Sequence, residues 1–107
     1  MKVWKQLSIY TSEASRAGIR PLHTAIIATA LERGLYSAIA YKALEGFGPQ
    51  MAIPTANHLA LESDLPIEVR ILDEPDAING FLAEQRDLLA TCILVVKDIE
   101  VFWAPQA

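Results

Sequence analysis

The chain has 107 residues, 52% of them hydrophobic and 21% charged, and its nine Lys plus Arg against thirteen Asp plus Glu give a formal net charge of -4. That length accommodates a single domain, residues 1–107, with one modest core; the apolar content excludes disorder and exceeds what so short a chain readily buries alone, so an oligomer is expected. No basic cluster breaks the acidic balance, which argues against a nucleic-acid partner, because gripping phosphates requires positive charge that displaces counterions.

From Val3 to Tyr10, Val3, Lys5, Leu7 and Ile9 alternate with Trp4, Gln6, Ser8 and Tyr10, the period of two of a strand with apolar groups on both faces. Thr11 to Arg20 reads as a loop, and Pro21 suits the first position of a helix, where no N–H is needed. Leu22, Ala25, Ile26, Thr29 and Ala30 then fall on one helical face, and Gly34 supplies the left-handed stop. Ser37 to Leu44, bounded by glycines, predicts a second strand, weakened by its alanines. Gly46 to Pro54 reads as an extended loop with a short returning strand over Asn57 to Leu61.

After the Asp64-Leu65-Pro66 turn, alternation over Ile67 to Leu72 predicts another strand, and Asp73 is placed to cap a helix with Pro75 in its first turn. Ile78, Phe81, Leu82, Leu88 and Leu89 form its apolar stripe. Glu74 and Asp76 near its start favour the helix dipole, which accounts for this acidic cluster without acid–base chemistry. Thr91 to Phe102 predicts a last strand, bent or interrupted at Lys97-Asp98. The order strand, helix, strand, strand, helix, strand is that of a ferredoxin-like α+β domain, βαββαβ, an antiparallel sheet with both helices on one face. The other face would stand bare, and with Trp4, Tyr10, Tyr41 and Trp103 on the strands it calls for cover by further subunits.

Few residues offer chemistry. No serine stands in a GxSxG elbow, and Cys92, in the run Cys92-Ile93-Leu94-Val95-Val96, reads as a buried inert thiol, so no catalytic residue is assigned and an enzyme is not expected. His23 and His58 are far apart and lack the spacing of a helical metal site, so no metal ligands are assigned. Arg20 precedes a helix N-terminus, where a guanidinium and free N–H groups together hold a phosphate or carboxylate; the competing reading is a surface arginine paired with Glu13. The string Glu45-Gly46-Phe47-Gly48-Pro49-Gln50 brings backbone close to a ligand if functional, or forms a plain turn with Phe47 packed inward. The opening Met1 to Gln6 has no signal-peptide character and no segment is long and apolar enough to span a bilayer, so a cytoplasmic location without membrane insertion is expected.

Gly46-Phe47-Gly48 followed by Gln50 resembles the GFGxQ string that ends the second strand of PII signalling proteins, at the base of their ligand-sensing loop. The whole chain, including Arg20-Pro21-Leu22 and Asp64-Leu65-Pro66, resembles the PII-like domain-of-unknown-function family 190 (DUF190). The resemblance implies a PII-like homotrimer with ligand sites between neighbours, an adenine nucleotide as small-molecule effector, and a signal-transduction role in which the loop controls a partner such as a membrane channel, transporter or enzyme. Gly46, Gly48 and Gln50 inherit a ligand-binding role from that match, with Arg20 beside them as the candidate read from its place before a helix. The sequence departs from PII proteins in two places. Glu84 to Thr91 lacks the glycines of their phosphate loop, so a triphosphate site of that type is not expected, and Pro49 replaces the usual arginine of the string. The alternative reading is a trimeric metal-binding or metal-tolerance protein, with ligands drawn from His23, His58, Cys92, Met51 or carboxylates of several subunits.

Overall fold

A computed structural model describes residues 1–49 and 64–106. Strand β1, Lys2–Ser12, runs through the centre of the sheet. A small hairpin of β2, Arg16–Ala17, and β3, Arg20–Pro21, precedes helix α1, Leu22–Glu32. Then come β4, Ser37–Lys42; β5, Pro66–Asp73; helix α2, Pro75–Glu84; and β6, Ile93–Val101. The sheet order β4-β5-β1-β6, with antiparallel neighbours throughout, is the ferredoxin-like arrangement expected from the element order.

Both helices lie against one face. Leu22, Ile26 and Ala30 recur every four residues on α1, and Ile78 and Phe81 lie three apart on α2; these stripes meet Leu7 and Ile9 of β1 and Ile67, Val69 and Ile71 of β5 in one core. Gly34, at φ +74°, ends α1 as expected, and the Gly34 N–H to Leu31 carbonyl and Leu35 N–H to Ala30 carbonyl bonds close a Schellman motif.

Several local expectations are corrected. Thr11 to Arg20 is not all loop: β1 continues to Ser12, and the hairpin turns at Gly18, φ +64°. Pro21 lies at the N-cap rather than the first helical position, because its ψ of 137° keeps it extended and paired with Arg16. Asp73 does not cap α2, since β5 carries it into register with Lys5 and leaves Glu74 at the N-cap. Asp73 accepts instead from the Glu74 and Tyr36 N–H groups, at 2.7 and 3.0 Å. Helix α2 stops before Leu88 and Leu89, although Leu89 still reaches the core from the following turn. Strand β6 is unbroken, because Lys97 and Asp98 project to opposite faces and Asp98 accepts from the Lys5 ammonium at 2.9 Å. Cys92 lies half-buried in the turn before β6, and burial raises its thiol pKa. Trp103 follows the last strand and is exposed.

On the face away from the helices, register places Tyr10 of β1, Ile39 and Tyr41 of β4, and Ile93 and Val95 of β6, each between 38% and 50% exposed. This is the bare apolar face that the sequence calls to be covered. Among the described residues no helix is long and apolar enough to cross a membrane.

Candidate functional site

The turn that follows β1, at Glu13 and Ala14, ties together the two stems of the segment that joins β4 to β5. Lys42, ending β4, places its ammonium 2.8 Å from Glu13 Oε2, and the Leu65 N–H donates to Glu13 Oε1 at 3.3 Å. The Glu13 N–H donates to the Leu65 carbonyl at 3.0 Å, the Ala14 N–H to Asp64 Oδ1 at 3.0 Å, and the Ala43 N–H to the Pro66 carbonyl at 2.9 Å. One carboxylate thus clamps both stems, the end of β4 and the start of β5. Its hydrogen bond from Lys42 outweighs partial desolvation and holds the Glu13 carboxyl below the usual carboxylate range.

Gly46 stands just beyond this clamp at φ +146°, a conformation that side chains resist, and a Cβ there would lie 3.4 Å from Pro66 Cγ. Glycine therefore lets the chain leave β4 over the Pro66 ring. Phe47 is 78% exposed, which overturns the inward-packed turn, and Gly48 is half-buried. Gln50 lies outside the described residues, as do Met51, His58 and the strand expected over Asn57 to Leu61.

Arg20 is exposed on β3 and makes no ion pair among the described residues; the expected pairing with Glu13 is replaced by Lys42. Among the described residues no hydrogen bond or ion pair joins Arg20 to the glycines; the chain just after Arg20 is tied to the turn that follows β1, where the Leu22 N–H donates to the Ser15 carbonyl at 2.8 Å. Among the described residues no group of three His, Cys, Asp or Glu side chains could hold a metal ion.

Next to the clamp, on the bare face, Tyr10, Tyr41, Lys42, Pro66 and Glu68 line a hollow of about 200 Å³. Arg70 donates to Glu68 at 2.8 Å and its guanidinium sits 4.5 Å from the centre of the Tyr41 ring. This pairing holds the Glu68 carboxyl below its usual range and raises the Arg70 guanidinium pKa. The hollow is smaller than the roughly 300–1,000 Å³ of ordinary small-molecule pockets.

A four-stranded antiparallel sheet, β4-β5-β1-β6, with both helices on one face is the ferredoxin-like fold of PII-like proteins. Two solved structures share it: CPII from Thiomonas intermedia K12 bound to ADP, AMP and acetate (TM-score 0.62, 18% identity, 94% of this chain and 92% of that one), and CPII from the same organism bound to ADP and bicarbonate (TM-score 0.61, 16% identity, 94% and 89%). More particularly, the chain belongs to the DUF190 family, described as Uncharacterized ACR, whose model matches residues 4–101. It is 32% identical over 99 residues to the UPF0166 protein of Aquifex aeolicus (strain VF5), covering 92% of this chain and 93% of that protein. The whole-chain resemblance to the DUF190 family is thereby shown, together with the ferredoxin-like fold.

Sequence reading missed Glu13 as the organiser of the loop base. Its partners are 29 and 52 residues away, and a lone glutamate after a strand carries no local mark of such a role.

Proposed function

We propose that this chain is a PII-like signal-transduction protein. It binds an adenine nucleotide between the subunits of a homotrimer at the Glu13–Gly46 loop base, and it controls a partner protein through the loop after β4. The partner is a membrane channel, a transporter or an enzyme, and the chain itself binds rather than catalyses. The observation that carries the reading is the loop base: a glycine at positive φ on Pro66, a carboxylate clamp across both stems, and beside them a hollow that opens on an uncovered sheet face. A neighbouring subunit on that face would complete the hollow. Tyr10 and Tyr41 offer flat surfaces for a purine, and Gly46, Gly48 and Gln50 would bring backbone and amide groups to the ligand, with Arg20 available to an anionic group.

The CPII structures, one bound to ADP and AMP and the other to ADP, support the choice of nucleotide. The loop responds only if its conformations bind the nucleotide unequally. Calorimetric titration of the purified protein with ADP, AMP, ATP and cyclic AMP, with molar mass followed by light scattering, tests the proposal. Saturable binding of one adenine nucleotide to a trimer is expected, and at a hundred times its Kd that nucleotide stabilises the fold by about 2.7 kcal/mol. A trimer that binds none of the four would end this reading.

A further inference from the structure

Strand β6 is an edge strand without a guard. Among the described residues it pairs with β1 alone, so the outward N–H and C=O groups of Ile93–Val101 stand open, as do those of β4 at the other edge. Exposed edges are ordinarily blunted by lysine, proline, a bulge or a covering element. The run Ile93-Leu94-Val95-Val96 has neither charge nor proline, and its four side chains are 39% to 45% exposed. Two of them lie on the helix side, since register aligns Leu94 with Ile9 and Val96 with Leu7 of the core. Helix α1 packs on β1, β4 and β5 and α2 on β1 and β5, which leaves Leu94 and Val96 at the margin of the helix layer. Packing on the bare face alone would cover Ile93 and Val95 and leave this pair in water.

The opposite edge supplies a match. Followed across β5 and β1, the pairing sets Ala38 level with Val96, Ala40 with Leu94, Ile39 with Val95 and Tyr41 with Ile93. Small thus meets large on the helix side, and apolar meets apolar on the bare face. Lys42, the one charge on β4, falls past Ile93, and Lys97 comes level with Ser37, so no like charges are opposed. Three successive antiparallel pairings leave β4 antiparallel to β6. A second copy turned about an axis along the strands therefore brings its β4 to β6 in the antiparallel sense, with its helices on the same side. Its α1 comes with it, beside Leu94 and Val96, and Leu31 of that helix is 79% exposed. Pairing β6 with β6 would leave β4 open, whereas one head-to-tail contact repeated around a ring occupies both edges.

We infer that the β6 edge is occupied by the β4 edge of a second copy of this chain, joined head to tail so that the sheets run on into one another and the copy's α1 covers Leu94 and Val96. Each Tyr41, on the wall of its hollow, then receives Ile93 of the neighbour on that side. The inference rests on the homo-oligomer proposed above and not on its nucleotide. Residue-resolved amide hydrogen exchange on ¹⁵N-labelled protein, with molar mass from light scattering, tests it. The outward N–H groups of both β4 and β6 should exchange at least about a hundredfold more slowly than open loop amides. Leu94→Lys should reduce the mass to that of one chain and release both sets of amides. Protection confined to β6 would mean that like edges pair, and a trimer with neither edge protected, or an unchanged mass for Leu94→Lys, would mean contact through the bare faces alone; each overturns the inference while the homo-oligomer stands. A wild-type mass of one chain overturns both. Should Leu94→Lys not fold, exchange in the wild type decides alone.

Discussion

Replacing Gly46 with alanine tests the loop base directly. At φ +146° an alanine is strained by about 1–3 kcal/mol. The added Cβ would touch only Pro66, at 3.4 Å from Cγ and 3.9 Å from Cδ, so the cost is torsional rather than steric. The strain has two outlets. If the base holds its shape, the melting temperature falls by roughly 4–8 °C for each kcal/mol. If the base yields, the melting temperature is preserved and the nucleotide binds more weakly, by roughly 5- to 150-fold for the same energy. Gly18→Ala is the control, because Gly18 also has positive φ but nothing within 4 Å of a new Cβ; it should cost about 1 kcal/mol in stability and leave ADP affinity unchanged. Differential scanning calorimetry and ADP titration on the two variants read both outlets. A Gly46→Ala protein that melts with the wild type and binds ADP with an unchanged Kd would refute the argument that glycine is required there.

The remaining predictions address the clamp, the core and the bare face. Because the Glu13 carboxyl is held low, the stability it confers is full above the ordinary carboxylate pKa, about 4.3, and is lost as the pH falls through its lowered value. The gap in melting temperature between wild type and Glu13→Gln should therefore close with acidification, and a gap that is constant from pH 7 to pH 3 would contradict the clamp. Ile71 is fully buried between the helices and β4, so Ile71→Ala should lose about 2–5 kcal/mol in urea unfolding. A loss below 1 kcal/mol would mean that the core closes around the deletion. Val95→Lys puts a charge on the bare face and should reduce the molar mass measured by light scattering to that of one chain, while an unchanged mass would place the subunit contact elsewhere.

Much of this architecture is legible in the sequence because its signals are local. Alternation along Val3 to Tyr10 and Ile67 to Leu72 reports strands with one face on a core, and the four-residue spacing of Leu22, Ile26 and Ala30 reports a helix lying on them. Gly34 reports its own backbone angle. The errors fall where a distant partner decides. Asp73 looks like a cap until Lys5 draws it into the sheet, and Lys97-Asp98 looks like a break until Lys5 takes up the aspartate. In the candidate site Gly46 sits where the backbone itself demands glycine, at φ +146°. The Glu13 clamp was not legible in the sequence, because it exists only once β1, β4 and β5 lie side by side.

The central place of β1 has a consequence for how the chain is made. Its two sheet neighbours are β5 and β6, so the first strand to leave the ribosome is paired on one side only after residue 73 has emerged and on the other only after residue 101. At about 5–20 residues per second, the 89 residues between the ends of β1 and β6 take roughly 4–18 s to synthesise. For that interval a strand carrying Leu7 and Ile9 on one side and Trp4 and Tyr10 on the other has at least one hydrogen-bonding edge unoccupied, and both until β5 has emerged. The nascent chain is thus most exposed to pairing with the wrong neighbour while both edges are free, and yield on expression should respond more to a delay before β5 than to one after it.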